Sequence, residues 1–149
     1  MRTGIIGCGG RMGQMLVEEV VKTHECELSG GLEMSGHPAL GQDISGFCGL
    51  DNCGVKISDD AKNLFANSDV IIDFSLPTGT NEYLALAVES GVALVLGTTG
   101  HDERQLIAIE EASKSVSIIK AMNFSIGMNI MFSITEKTSK LLGENTLKI

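Results

Sequence analysis

The sequence predicts an α/β fold built on a doubly wound parallel sheet, and three observations predict it. Short aliphatic runs alternate along almost the whole chain with segments whose apolar residues recur every three or four positions. Strand–helix–strand repeats of this kind close through right-handed crossovers into a parallel sheet. The core must also be aliphatic, because 43% of the residues are hydrophobic while 4% are aromatic and none is Trp. Strands buried on both faces have that composition, and a length of 149 residues suits one domain.

In chain order, the strand candidates are Thr3–Ile6, Glu27–Leu32, Val55–Ile57, Val70–Phe74, Ala93–Leu96 and Val116–Lys120. The helix candidates between them are Arg11–Thr23, Asp60–Ala66, Thr80–Ser90 and Asp102–Lys114, followed by Asn129–Leu142. Ser58–Asp59–Asp60 offers N-cap chemistry to the second helix, and Thr78–Gly79–Thr80 to the third. One long irregular segment, Ser35 to Gly54, is rich in Gly, Ser, Asp and Asn. A loop of that length in a compact domain is usually functional or mobile.

Composition excludes several classes. A net charge of −8 argues against nonspecific nucleic-acid binding, which needs a basic footprint. Cys8, Cys26, Cys48 and Cys53 form no CxxC pair, and no His stands near the Cys48–Cys53 loop, so no metal site is expected. The cysteines read as free thiols of a reducing compartment. The start MRTGIIG enters a strand at once, and runs such as Val92–Leu96 are far too short to span a bilayer. A cytoplasmic protein without membrane partners is expected.

The chemistry starts at GIIGCGGRMGQML, Gly4 to Leu16. A strand, a Gly-rich turn and a helix together form the context a dinucleotide fingerprint requires, and they point to a Rossmann-like sheet. Gly7 permits the tight turn, Gly9 and Gly10 let backbone approach a pyrophosphate, and Gly13 lets the helix lie close to the sheet. The helix N-terminus adds unpaired N–H groups and a positive dipole end. The spacing reads as G-x-x-G-x-x-G from Gly7, Gly10 and Gly13, and alone it is also ordinary turn chemistry.

The second strand ends Gly30–Gly31–Leu32–Glu33, which places Glu33 where a ribose-binding carboxylate is expected, although it could simply begin a polar loop. Such an acid accepts ribose hydroxyls and repels an added 2′-phosphate. Met34 follows where a phosphate-reading Arg could have sat, and Arg11 could reach over the adenine side. NADH is therefore expected to bind better than NADPH.

Three more strand ends carry small residues, hydroxyls or amides with a Gly: Asp73–Thr80 (DFSLPTGT), Gly97–Gly100 (GTTG) and Ala121–Asn129 (AMNFSIGMN). Each could be only a loop and an N-cap. In this order and spacing, however, GCGGRMG, DFSLPTGT, GTTG and AMNFSIGMN together closely resemble the 4-hydroxy-tetrahydrodipicolinate reductase (dihydrodipicolinate reductase) family of bacterial lysine and diaminopimelate synthesis. The resemblance covers nearly the whole chain. It implies that Gly7, Cys8, Gly9, Gly10, Arg11 and Met12 cradle the pyrophosphate and that Glu33 holds the adenosine ribose. It places Gly97, Thr98 and Thr99 beside the nicotinamide, and Ala121, Met122, Asn123 and Phe124 over it.

The resemblance also implies hydride transfer to a dianionic cyclic substrate in a homotetramer. Its second domain carries an E-[AL]-H-H-x-x-K motif and a Gly-Thr pair, supplying the proton donor and carboxylate contacts. No such motif stands here. His24, His37 and His101 have no neighbouring His and read as ordinary surface residues, and Lys120 as a solvated strand end. Residues 1–125 are thus expected to form the NAD(P)-binding domain. Residues 126–149 would form an interdomain helix, a stop at Gly143–Glu144–Asn145 and a strand begun at Thr146–Ile149, the start of a substrate domain mostly lacking. No catalytic residue is assigned. With turnover lost, exposed Ile130, Ile134 and Leu141 would promote altered self-association. A noncatalytic NAD-sensing module and the cofactor domain of another amino-acid-pathway dehydrogenase are the alternatives, and GTTG with AMNFSIGMN favours the reductase.

Overall fold

A computed structural model describes residues 1–143. The elements are β1 (Arg2–Ile6), α1 (Arg11–Lys22), β2 (Glu27–Leu32), β3 (Ile57–Ser58), α2 (Ala61–Ala66), β4 (Val70–Asp73), α3 (Thr80–Ser90), β5 (Ala93–Leu96), α4 (Glu103–Ala112), β6 (Ile118–Lys120) and α5 (Ile126–Leu142). The strands form one six-stranded sheet in the order β3-β2-β1-β4-β5-β6, with every neighbouring pair parallel. The chain order reverses between β1 and β4, and a crevice opens there at the carboxyl ends of the strands.

The apolar residues divide between the two faces. Ile5, Val17, Val20, Leu28, Ile44 and Ile57 pack on the α1 side. Leu64, Phe65, Ile71, Leu84, Leu94, Leu96 and Ile109 pack under α2, α3 and α4. Cover is uneven, however. Val70, Ile72, Ala93 and Val95 on the first face are only half-buried, and no residue of α5 is buried. The expectation of strands buried on both faces therefore fits β1 better than β4 or β5.

Several boundaries differ from the sequence reading, each for a local reason. β3 starts later because Asp43 and Lys56 form an antiparallel bridge and Ile44 donates to the Val55 carbonyl at 2.9 Å. Residues 55 and 56 thus pair with the preceding loop rather than with β2. β6 begins at Ile118 because the Val116 amide is still bonded to the Ala112 carbonyl at the end of α4. α5 begins at Ile126 because the Ser125 hydroxyl caps the Met128 amide. Asp60 caps α2 as expected, through the Asn63 amide. The cap expected from Thr78–Gly79–Thr80 is not formed: a 3₁₀ turn, Pro77–Gly79, leads into α3, no side chain caps it, and Thr80 is buried instead.

The long segment before β3 is not featureless. It holds a 3₁₀ turn, Ile44–Cys48, organised by the Asp43 carboxylate. That carboxylate accepts from the Ser45 amide and hydroxyl and from the Cys53 and Gly54 amides. The strand expected at Thr146–Ile149 lies outside the described residues.

Candidate functional site

The Gly-rich turn is built by close backbone approach. Gly7 has φ +76° and accepts the Gly10 amide at 3.1 Å. A Cβ on Gly13 would stand 2.1 Å from the Gly7 carbonyl oxygen, so only glycine lets α1 start this near β1. No side chain caps α1 and its first turn carries no acid, which leaves its leading amides and positive dipole end for an incoming anion.

Glu33 stands at the end of β2 with its carboxylate accepting the Gly9 amide at 2.7 Å. The acid and the turn are therefore one assembly rather than neighbours in sequence. Glu33 follows the last residue of β2 and opens the irregular segment, while its side chain turns back to the glycine turn.

Around them lies a cleft of about 500 Å³ at the carboxyl ends of β1, β2 and β4. Of the predicted residues, Gly7, Gly9, Gly10 and Glu33 line it. Cys8 does not line the cleft: its thiol is buried under the turn 3.7 Å from the Leu32 carbonyl. Burial, and then the charge of Glu33, push that thiol up to about 12, so it stays neutral. Arg11 and Met12 are exposed on the first turn of α1 and outside the cleft lining.

The second predicted group, Gly97–Thr99 and Ala121–Phe124, sits farther along the carboxyl edge of the sheet, outside the cleft lining, which it meets through Phe74. The Gly97 and Thr98 amides both donate to the Asp73 carbonyl, at 2.8 and 3.1 Å, which fastens GTTG to the end of β4. Thr98 is buried, its hydroxyl directed to the Asp73 and Ser75 carbonyls, whereas Thr99 is exposed. A Cβ on Gly97 would stand 2.2 Å from the Phe74 ring, which packs directly on that glycine. Phe124 lies against the same ring with centroids 5.8 Å apart. Phe74 thus joins the GTTG and AMNF segments. Asn123 shapes the turn into α5, its side-chain oxygen accepting the Ser125 amide at 2.7 Å. Ala121 is half-buried and Met122 is 85% exposed.

Other functional candidates escaped the residue-by-residue reading. Phe74, Ser75 and Tyr83 line the cleft; DFSLPTGT signalled the first two only as a loop, and nothing in the pattern singled out Tyr83. Burial first, then the charges of Asp73, Glu82 and Glu33, raise the Tyr83 phenol above its ordinary value. Asp73 is fully buried; one carboxylate oxygen accepts the Ser75 amide and hydroxyl, and the other has no partner among the described residues.

Two histidines are corrected from the surface role expected of them. His37 lines the cleft. His101 is half-buried, 3.1 Å from the buried Thr80 hydroxyl; burial, and then Lys120, lower its pKa. His24 is exposed as expected. Among the described residues no cluster of His, Cys, Asp and Glu could hold a metal ion, and no helix is long and apolar enough to cross a membrane.

The residues fit a dinucleotide. The cleft lies at the reversal of strand order, its floor is a glycine cradle that side chains would fill, and an acid stands at the tip of β2. Similarity to known proteins is consistent with that fit. The family described as dihydrodipicolinate reductase, N-terminus, matches residues 1–124. The 4-hydroxy-tetrahydrodipicolinate reductase of Cupriavidus taiwanensis is 47% identical over 142 residues, covering 95% of this chain and 53% of the relative. That of Cupriavidus necator is 44% identical with the same coverage. The chain spans about half the length of the curated relatives it matches.

Among solved structures, dipicolinate-bound dihydrodipicolinate reductase from Paenisporosarcina sp. TG-14 superposes with a TM-score of 0.71 at 27% identity, covering 93% of this chain and 53% of that one. A myo-inositol 2-dehydrogenase from Lactobacillus plantarum, at 16% identity and a TM-score of 0.65, shares the fold. With the family match running through both glycine turns, Glu33 and the Phe74–Phe124 contact, the chain belongs to the dihydrodipicolinate reductase family, as its N-terminal, Rossmann-like part.

Proposed function

We propose that this chain holds NADH, in preference to NADPH, as the cofactor-binding part of a 4-hydroxy-tetrahydrodipicolinate reductase of lysine and diaminopimelate synthesis. The observation that carries the reading is the Glu33 carboxylate bonded to the Gly9 amide of the glycine cradle. That carboxylate accepts hydroxyl donors readily and meets a 2′-phosphate with like charge. When bound, the nicotinamide supplies the hydride that reduces the cyclic dianionic precursor to tetrahydrodipicolinate.

Each group of residues then has a distinct task. The amides of the Gly7–Met12 turn hold the pyrophosphate, and the Gly97–Thr99 backbone orients the nicotinamide end. Phe74 and Phe124 exclude water from its face. The proton donor and the cations for the substrate carboxylates are assigned to the half of the enzyme that the relatives possess and this chain does not span. Residues 1–125 form the cofactor domain and residues 126–149 the link toward that half, in an enzyme assembled as a cytoplasmic homotetramer.

The test is a fluorescence titration with NADH, followed by a turnover assay with and without a separately supplied second half. Binding by this chain, with turnover only after that addition, is expected. Glu33→Ala should weaken NADH by about tenfold or more, the loss of hydrogen bonds to a charged group. Turnover by the 149-residue chain alone would overturn the division of labour. Failure to bind NADH would overturn the reading itself.

A further inference from the structure

The segment after β2 doubles back on the glycine turn. The His37 amide donates to the Met34 carbonyl at 3.0 Å, closing a tight turn in which Gly36 has φ +83°. The His37 ring is then fixed by its own loop, since Nδ1 accepts the Ala39 amide at 3.2 Å. In the neutral ring this bond puts the proton on Nε2 and leaves that N–H free to donate. The edge carrying Cε1 faces the glycine turn: a Cβ on Gly9 would stand 3.0 Å from His37 Cε1 and 3.1 Å from Glu33 Oε1. An imidazole and a carboxylate therefore converge on one glycine. Among the residues lining the cleft, His37 is the basic side chain, and neither Lys nor Arg joins it.

We infer that His37 reads the 2′ position of the adenosine ribose as the counterpart of Glu33, a role that rests on the cleft being a dinucleotide site. Glu33 accepts from the 2′-hydroxyl of NADH, and His37 Nε2–H donates to the same oxygen. A 2′-phosphate meets Glu33 with repulsion, and the imidazole offsets it by taking up a proton. Nδ1 then exchanges the Ala39 amide for that proton, so NADPH binding is linked to proton uptake and NADH binding is not.

The other groups facing the site behave differently across the range in which imidazoles change charge, about pH 5 to 8. The Cys8 thiol beneath the turn is pushed up to about 12 and the Tyr83 phenol across the cleft is raised, so both stay neutral. Arg11, exposed at the start of α1, lies outside the cleft lining. Asp59 holds the Ser35 hydroxyl at 2.6 Å at the foot of the turn. The 2′-phosphate itself titrates at about pH 6, as phosphate monoesters do, so the contribution of His37 is taken as a difference between proteins.

The test measures Kd for NADH and NADPH from about pH 8 to about pH 5, in the unmodified chain and in His37→Gln, which keeps a donor but no titratable charge. The Kd ratio, NADPH over NADH, should fall with decreasing pH by about tenfold more in the unmodified chain than in the variant. Parallel slopes would overturn the role of His37 while leaving the dinucleotide site standing. Failure of the unmodified chain to bind either nucleotide would overturn both. If His37→Gln unfolds, the imidazole resonances of the unmodified chain decide by NMR. A titration moved to higher pH by NADPH and not by NADH supports the inference, and identical titrations in the two complexes overturn it.

Discussion

The carboxyl edge of the sheet has two ends built on different principles, the glycine turn with its cleft and the GTTG–AMNF region outside the cleft lining. At the glycine turn, position is set by contacts onto glycine backbone: Gly13 on the Gly7 carbonyl, the Glu33 carboxylate on the Gly9 amide, and the His37 ring over the same glycine. At the GTTG–AMNF end, Ala121–Phe124 is held by the Phe74–Phe124 ring contact and a long bond from the Ala121 amide to the Leu96 carbonyl at 3.4 Å. Beyond it α5 buries no residue. The first end is therefore complete within the sheet, while the second depends on one aromatic pair. The same substitution, glycine to alanine, should cost most at the glycine turn, less at Gly97, and change sign in α5.

The largest effect is expected from Gly13→Ala. The new methyl would stand 2.1 Å from a carbonyl oxygen and 2.6 Å from the Cys8 Cα, and backbone cannot rotate aside. Overpacking of this kind should cost about 3 kcal/mol or more, measured by urea denaturation, with the NADH site lost alongside. A variant as stable as the unmodified chain would mean that the cradle is less rigid than described.

Gly97→Ala ranks next. Its methyl would meet the Phe74 ring at 2.2 Å, but a ring can turn where a carbonyl cannot. Stability should fall by about 1–2 kcal/mol. NADH affinity should fall about tenfold, equivalent to about 1.4 kcal/mol, because Phe74 can no longer support Phe124. Unchanged affinity in a fluorescence titration would break the proposed coupling between the GTTG and AMNF segments.

The sequence carried the first end more fully than the second. Gly7, Gly10 and Gly13 are legible because the turn imposes conformational and steric demands that only glycine meets, and these leave a spacing. Glu33 is legible from the length of one strand–helix–strand unit. His37 was not, because its place depends on a turn around Gly36 inside a segment with no periodicity, and a lone His there resembles any surface His. Tyr83 was hidden for the opposite reason: its spacing belongs to the apolar face of α3, and only packing shows that its ring also walls the cleft. The Ile44–Cys48 turn follows from Asp43, whose donors on Ser45, Cys53 and Gly54 form no contiguous motif.

That Asp43 knot gives a smaller, local prediction that extends the comparison to the loop flanking the first end. Hydrogen bonding, led by the Ser45 hydroxyl, lowers the Asp43 carboxyl to about 2 from an ordinary 3.8. A carboxylate depressed in the folded state contributes stability above its unfolded pKa, and that contribution is lost as pH falls through the folded value. Loop order should therefore persist at neutral pH and fade between 3.8 and about 2. The Gly54 amide resonance should titrate with the lower midpoint, and Asp43→Asn should remove that titration. A midpoint at the ordinary aspartate value would show that the knot is loose.

Gly127→Ala should have the smallest effect and the opposite sign to Gly13→Ala. Gly127 lies in the first turn of α5, and its methyl would meet nothing nearer than the Ser125 hydroxyl at 3.9 Å. Replacing a helical glycine gains up to about 1 kcal/mol of helix propensity, less near an end. Because α5 adds nothing to either core cluster, the gain should show as slightly greater helicity by circular dichroism, with the Tm of the sheet unchanged. A fall in Tm would mean that this face is packed in solution after all. Ile126, Ile130, Met131, Phe132 and Ile134 are all more than half exposed in the chain by itself, so light scattering would then be expected to find a self-associated form. If the Tm falls and scattering still finds a monomer, the contrast between the two ends of the sheet edge fails.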